Sequence, residues 1–192
     1  MFYTKIILYC IFILVIISCG RKPISIQKKY SKFKAYELIA ANISEEITGN
    51  DEVTLIIYAI KDTIPKNSVV NEWIDSMTFD KNNNSLRKNI NYELNNFDLL
   101  SKERLLFILI ETDNDNYASE QLQKLRNVLS EGNYQNYDSL TIHIKKAILD
   151  DDLLGVKFYT ITELINNSSK TIHFSGVSYF DKYYYKLNYR IE

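Results

Sequence analysis

Histidine is almost missing from this chain of 192 residues, which has only His143 and His173. A histidine-rich zinc centre is therefore excluded. Each histidine lies between apolar neighbours, Ile142 and Ile144 for the first, Ile172 and Phe174 for the second. Both are expected to be satisfied structural residues. Proline, at 2, and glycine, at 5, are also scarce. Many turns must then be made by Asn and Asp, whose short side chains hydrogen-bond to nearby backbone. No phosphate-cradling glycine loop, nucleophile elbow or HExxH element is present, which removes the commonest hydrolase and nucleotide-binding signatures. Charge of one sign is lacking too: 23 basic side chains face 24 acidic ones. That balance carries no footprint for nucleic acid, and no nucleic-acid partner is expected. The two cysteines, Cys10 and Cys19, both fall in the first nineteen residues.

What the chain does have is apolar and aromatic substance. It is 46% hydrophobic, with 15 tyrosines and 9 phenylalanines, enough to bury a core and unlike a disordered composition. The pattern is mostly that of strands. Tyr183, Tyr185, Leu187, Tyr189 and Ile191 alternate with Tyr184, Lys186, Asn188 and Arg190, one face apolar and the other wet. Leu86, Lys88, Ile90, Tyr92 and Leu94 share one side of a similar segment. Val53 to Ile60 and Leu105 to Ile110 are nearly continuous apolar runs rich in β-branched residues, which suits strands buried on both sides. Trp73, Met77 and Phe79 suggest a further strand, and Ile172 with Phe174 another. Many strands between polar turns predict a sandwich or barrel.

One region departs from this. Leu122, Leu125 and Leu129 recur at helical spacing, with Asn116 or Ser119 as a cap and Gly132 where a helix would stop. Tyr137 to Leu149 fits a second helix through Leu140, Ile144 and Ile148, although Thr141, Ile142 and Ile144 also fit a strand. Phe33 to Ile47 is equally double: Ile39, Ile43 and Ile47 suit a helix, Tyr36, Leu38 and Ala40 a strand.

The N-terminus has a layout of its own. Met1 to Lys5 carries one positive charge, and Ile6 to Ile17 is an uninterrupted apolar run. A single membrane pass needs about 20 apolar residues, so this run reads as a secretory signal. Its end, Ile16, Ile17, Ser18, Cys19, resembles the lipobox of bacterial lipoproteins. That resemblance implies a signal peptide over residues 1–18, cleavage before Cys19, lipid (palmitate among the acyl chains) on that cysteine, and attachment to a membrane of the cell envelope, inner or outer. Two or more acyl chains anchor stably where one does not. Cys10 leaves with the signal, so the mature chain is expected to hold no internal disulfide. Residues 19–34 follow as a linker, with Arg21, Lys22, Lys28, Lys29, Lys32 and Lys34 and no acidic residue. Attraction to anionic headgroups and simple solvation both account for that run.

Residues 35–192 are expected to be one domain. Three acidic segments within it suggest its family. Thr48-Gly49-Asn50-Asp51-Glu52 precedes the run Val53 to Ile60; Glu111-Thr112-Asp113-Asn114-Asp115 follows Leu105 to Ile110; Asp150-Asp151-Asp152-Leu153-Leu154-Gly155 opens a later segment. In type and order they resemble the loops of C2 domains. The resemblance implies a mainly β fold, a C2-like antiparallel β-sandwich of eight strands, here with a helical insertion over residues 116–149; an α+β fold is the alternative. It also implies calcium, a hard cation held by six to eight oxygens, with Asp51, Glu111, Asp113 and Asp152 at positions resembling the ligand-bearing ones and Asp115, Asp150 and Asp151 as further candidates. The chain departs from the family in the length of the insertion, in Glu52 where proline is common, and in Glu111 where aspartate is usual. The same Asp and Asn residues also serve as ordinary turn and cap residues.

Three functions follow as expectations. The first is a membrane-tethered, non-catalytic binding module, calcium-dependent through its acidic loops, that recognises lipid headgroups or an envelope protein. The second is a metal-independent lipoprotein that binds a protein partner, such as a toxin it neutralises. Third, paired carboxylates are able to perform acid/base hydrolysis, but the missing catalytic motifs place this last.

Overall fold

The computed structural model of the chain describes residues 32–42, 50–63, 66–80, 86–95, 103–112, 115–131, 137–148, 153–177 and 182–192. The signal segment, Cys19 and most of the basic linker lie outside these residues. Eight strands are present: β1 (Lys32–Asn42), β2 (Asn50–Thr63), β3 (Lys66–Asp80), β4 (Arg87–Asn95), β5 (Glu103–Glu111), β6 (Leu153–Thr160), β7 (Thr171–Val177) and β8 (Lys182–Ile191). Helices α1 (Asp115–Glu131) and α2 (Tyr137–Ala147) stand between β5 and β6, and α3 (Ile161–Asn166) follows β6. The strands form two four-stranded sheets, ordered β4-β1-β8-β7 and β3-β2-β5-β6. Every pairing is antiparallel. The fold is therefore mainly β, a two-sheet antiparallel sandwich with a helical insertion, as the alternation and the leucine spacing predict. Among the described residues, no helix is long and apolar enough to cross a membrane.

Two cores explain the two kinds of strand. Between the sheets, inward side chains at alternate positions interlock: Phe33, Leu38, Leu55, Ile57, Phe79, Phe107, Phe174, Tyr185 and Leu187 are all buried there. Aromatic contacts run along and across this layer. The Phe33 ring stacks 5.3 Å from Tyr189 on the neighbouring strand of its own sheet and lies 6.1 Å from Phe107 on the facing sheet. Such pairs add about 0.5–1.5 kcal/mol beyond their buried area. The second core lies on the other side of sheet β3-β2-β5-β6, where Ile56, Tyr58, Ile60, Leu106, Ile108 and Ile110 meet Leu125, Leu129, Leu140, Ile144 and Ile148. So β2 and β5 are covered on both faces, and their apolar runs have no wet side.

The inserted helices are thus a third layer. Residues at spacing i, i+4 and i+8 on α2 and just beyond it, Leu140, Ile144 and Ile148, face the sheet, while Ile142 is 52% exposed. The helix reading prevails over the described residues because a period of two would bury Ile142 and Lys146 with those three, and both are exposed. A polar tie fixes the layer at its edge: the Tyr58 hydroxyl donates to Glu72 Oε1 at 2.9 Å, and Arg126 Nε on α1 donates to the same oxygen at 3.0 Å.

From Phe33 to Asn42 the strand reading prevails, while Ile43 to Ile47 lie outside the described residues. Phe33 and Ala35, then Leu38 and Ala40, are buried, and a bulge between Ala35 and Glu37 breaks the alternation. The expected linker ends sooner than its charges suggest: Lys32 to Lys34 already belong to β1. The short helix α3 has a complete capping box, with the Thr160 hydroxyl accepting from Glu163 N at 3.1 Å and Glu163 Oε2 accepting from Thr160 N at 2.7 Å.

Candidate functional site

Antiparallel pairing brings three distant acidic segments to one end of sheet β3-β2-β5-β6. The start of β2 runs beside the ends of its neighbours: Asp51 pairs with Phe79 near the end of β3, and Val53 pairs with Glu111 at the end of β5. Leu153, the first residue of β6, pairs with Ile110. The backbones of Asp51, Glu111 and Leu153 are therefore gathered at one pole. Glu111 is half-buried there. Asp113, Asp150, Asp151 and Asp152 lie outside the described residues. Asp51 and Asp115 stand on described backbone, at the start of β2 and of α1, but their side chains are outside the description. Among the described residues, no group of three His, Cys, Asp or Glu side chains is placed to hold a metal.

The base of this pole is a set of hydroxyls. Thr54, buried to 1% exposure inside an apolar run, contacts Ser76 Oγ at 2.7 Å and Thr112 Oγ1 at 3.3 Å. Thr112 donates from its backbone N to Glu52 O at 2.7 Å, and from its hydroxyl to the same oxygen at 3.3 Å. A buried hydroxyl without a partner costs about 1–3 kcal/mol. The network removes that cost and locks β2, β3 and β5 together one residue before Asp113. Sequence reasoning treated Thr112 as part of an acidic motif and passed over Thr54. Its sequence signal is the single threonine in the otherwise aliphatic and aromatic run Val53 to Ile60.

The other sheet reaches the same pole. Asn42 at the end of β1 pairs with Tyr184, its side-chain amide donates to Lys182 O, and Val177 at the end of β7 pairs with Lys182. Tyr183 packs inward over Gly176, where an added Cβ would collide with the tyrosine hydroxyl. Burial, and then the nearby Glu111 carboxylate, push the Tyr183 hydroxyl above the usual tyrosine pKa. Among the described residues, the pole offers the Glu111 carboxylate and a hydrogen-bonded set of hydroxyls from Thr54, Ser76 and Thr112.

The two histidines lie elsewhere and are both hydrogen-bonded. His143 Nδ1 is 2.7 Å from Ser139 O within α2. His173 Nδ1 is 2.6 Å from the Tyr184 hydroxyl, and the two rings stack at 5.6 Å. Both side chains are exposed, so their satisfaction is local and not that of core residues.

Compared with protein-family models, with curated proteins and with solved structures, the chain gives no match.

Proposed function

We propose that this chain is a bacterial lipoprotein, lipidated on Cys19 and held at the cell envelope. Its C2-like sandwich acts there as a non-catalytic binding module that recognises its ligand at the acidic pole. The observation that carries the reading is the strand register: segments sixty and a hundred residues apart in sequence are brought together beside Val53, Glu111 and Leu153. In this reading calcium joins the pole, with Asp51, Glu111, Asp113 and Asp152 as its ligands and Asp115, Asp150 and Asp151 nearby. The metal supplies a positive charge that carboxylates alone cannot offer to a phosphate or to an acidic partner.

The test is thermal unfolding of the full mature chain with calcium, with magnesium and with chelator. A ligand present at a hundred times its Kd stabilises by about 2.7 kcal/mol. Calcium should raise Tm, and the rise should disappear in Asp113→Ala and Asp152→Ala. No change in Tm with calcium would remove the metal from the proposal.

A second reading, a metal-independent protein-binding lipoprotein such as a toxin neutraliser, is favoured by Ile142, a large apolar side chain exposed on α2. Replacing the whole insertion cannot test it, because that would strip cover from Ile56, Tyr58, Ile108 and Ile110. Ile142→Asp leaves the buried face of α2 intact. It should abolish capture of a co-purifying protein if this reading holds, and leave capture unchanged if it does not.

A further inference from the structure

Among the described residues, the outward face of sheet β4-β1-β8-β7 carries no second layer, since α1 and α2 pack on the other sheet. Alternation along β8 turns Tyr185, Leu187 and Tyr189 inward and leaves Lys182, Lys186 and Arg190 on the outer side. On β1, between buried Phe33 and Ala35, the same rule places Lys34 outward, with Lys32 one step before it. Arg87 on β4 completes a set of basic residues spread over three adjacent strands.

Acidic residues on this face are fewer and already engaged. Glu93 takes both Lys32 and Lys34 at 2.7 Å, Glu37 takes Arg87 at 3.2 Å, and Glu192 pairs with Arg190. Among the described residues no carboxylate pairs with Lys182 or Lys186, and Lys186 Nζ stands 5.2 Å above the Tyr184 ring. The whole chain has more acidic than basic residues, 24 against 23. The face is thus basic on a molecule that is not, and the acidic pole lies at the end of the strands.

We propose that this face lies flat against the anionic phospholipid headgroups of the bilayer that holds the chain. The inference rests on the lipid-tethered reading above. Charge complementarity is one ground, each lysine or arginine near an anionic surface being attracted to it. The route of the chain is the other. In sequence, residues 20–31 run directly into β1, a strand of this same sheet, and include Arg21, Lys22, Lys28 and Lys29. At about 3.3–3.6 Å per extended residue, that segment reaches roughly 40 Å. A strand such as β1, of 11 residues, is about 36 Å long, so the tether is long enough to lay the sheet down. The acidic pole stands at the ends of the strands, so a sheet lying flat leaves it at the side of the docked domain and open to its ligand.

The experiment uses the full lipidated chain in phosphatidylcholine vesicles with and without phosphatidylglycerol. Lysines are acylated with a soluble reagent and read by mass spectrometry. Lys34, Lys182 and Lys186 should be labelled several-fold less on the anionic vesicles, while Lys145 and Lys146 on α2 are unchanged. The protection should vanish at about 1 M salt, where charges are screened beyond about 3 Å. K182E/K186E should still float with the vesicles and unfold at the wild-type temperature, yet lose the protection at Lys34. Equal labelling on both vesicle types, or protection centred on Lys145 and Lys146, would overturn the inference while leaving the tether in place. Flotation that Cys19→Ala does not reduce would instead overturn the tethered reading, and this inference with it.

Discussion

Replacing Ile144 by alanine measures whether the inserted helices are part of the domain or an ornament on it. Ile144 is fully buried in the core shared with Ile108 and Leu125. Alanine removes three carbons, about 0.8 kcal/mol each by transfer, or roughly 2.4 kcal/mol before any cavity is counted. The unfilled cavity raises the cost within the ~2–5 kcal/mol range of Ile→Ala changes in cores. Alanine's better helix propensity returns a few tenths of a kcal/mol, so a net loss of about 3 kcal/mol is expected. Ile142, two residues earlier on the same helix and 52% exposed, is its control. There the propensity gain offsets the lost contact, and the change should stay within about 0.5 kcal/mol. Urea unfolding followed by far-UV circular dichroism reads both, with the midpoint moving and the slope m unchanged. In a thermal scan the Ile144 variant should melt about 6–12 °C lower, at about 2–4 °C per kcal/mol for a domain of this size. If Ile144→Ala costs no more than Ile142→Ala, the helical layer does not share the stability of the sandwich, and the packing argument fails.

Two further changes test polar groups. The hydroxyls of Tyr92 and Tyr185 are buried without a hydrogen-bond partner among the described residues, so Tyr92→Phe and Tyr185→Phe should leave stability equal or raise it by about 1 kcal/mol. Tyr58→Phe loses the bond to Glu72 and should cost about 1 kcal/mol by the same unfolding measurement. Hydrogen bonds from Lys32 and then Lys34 hold the Glu93 carboxyl at about 2, below its ordinary 4.5. A depressed carboxyl stabilises the folded chain fully above its ordinary pKa and ceases to do so as pH falls through the folded value. Tm of Glu93→Gln should therefore lie below wild type at neutral pH, with the gap closing between 4.5 and 2; a gap independent of pH would show that the ion pair is not its cause.

The periodicity of side chains revealed the strands more fully than their neighbours. Tyr185, Leu187 and Tyr189 are buried as their alternation requires, and so are Ile90 and Tyr92. The unbroken runs Val53 to Ile60 and Leu105 to Ile110 announced burial on both sides, and the helices are what covers the second side. Other features were hidden for physical reasons. The bulge in β1 shifts the period between Ala35 and Glu37, so a helix fitted the outer isoleucines as well as a strand did. Helix α3 is too short for a period to appear, and its signature was the Thr160–Glu163 capping pair. At the acidic pole the residue types were legible, as was their order. The register that brings Val53 to Glu111 depends on pairing across the sheet, which no local pattern encodes.

The pairing of β1 with β8 has a consequence for how the molecule comes into being. Lys32 and Glu192 exchange both backbone hydrogen bonds, at 3.0 and 2.9 Å, so sheet β4-β1-β8-β7 is stitched from the two extremes of the domain. Closing so long a loop must precede the reward of the contacts it permits, which slows folding. During synthesis, β1 and β4 can pair early, but the central strand beside β1 is the last to emerge. Until β8 emerges, Phe33, Ala35 and Leu38 lack the strand that flanks them, and this sheet stays open on the side where β8 will pair.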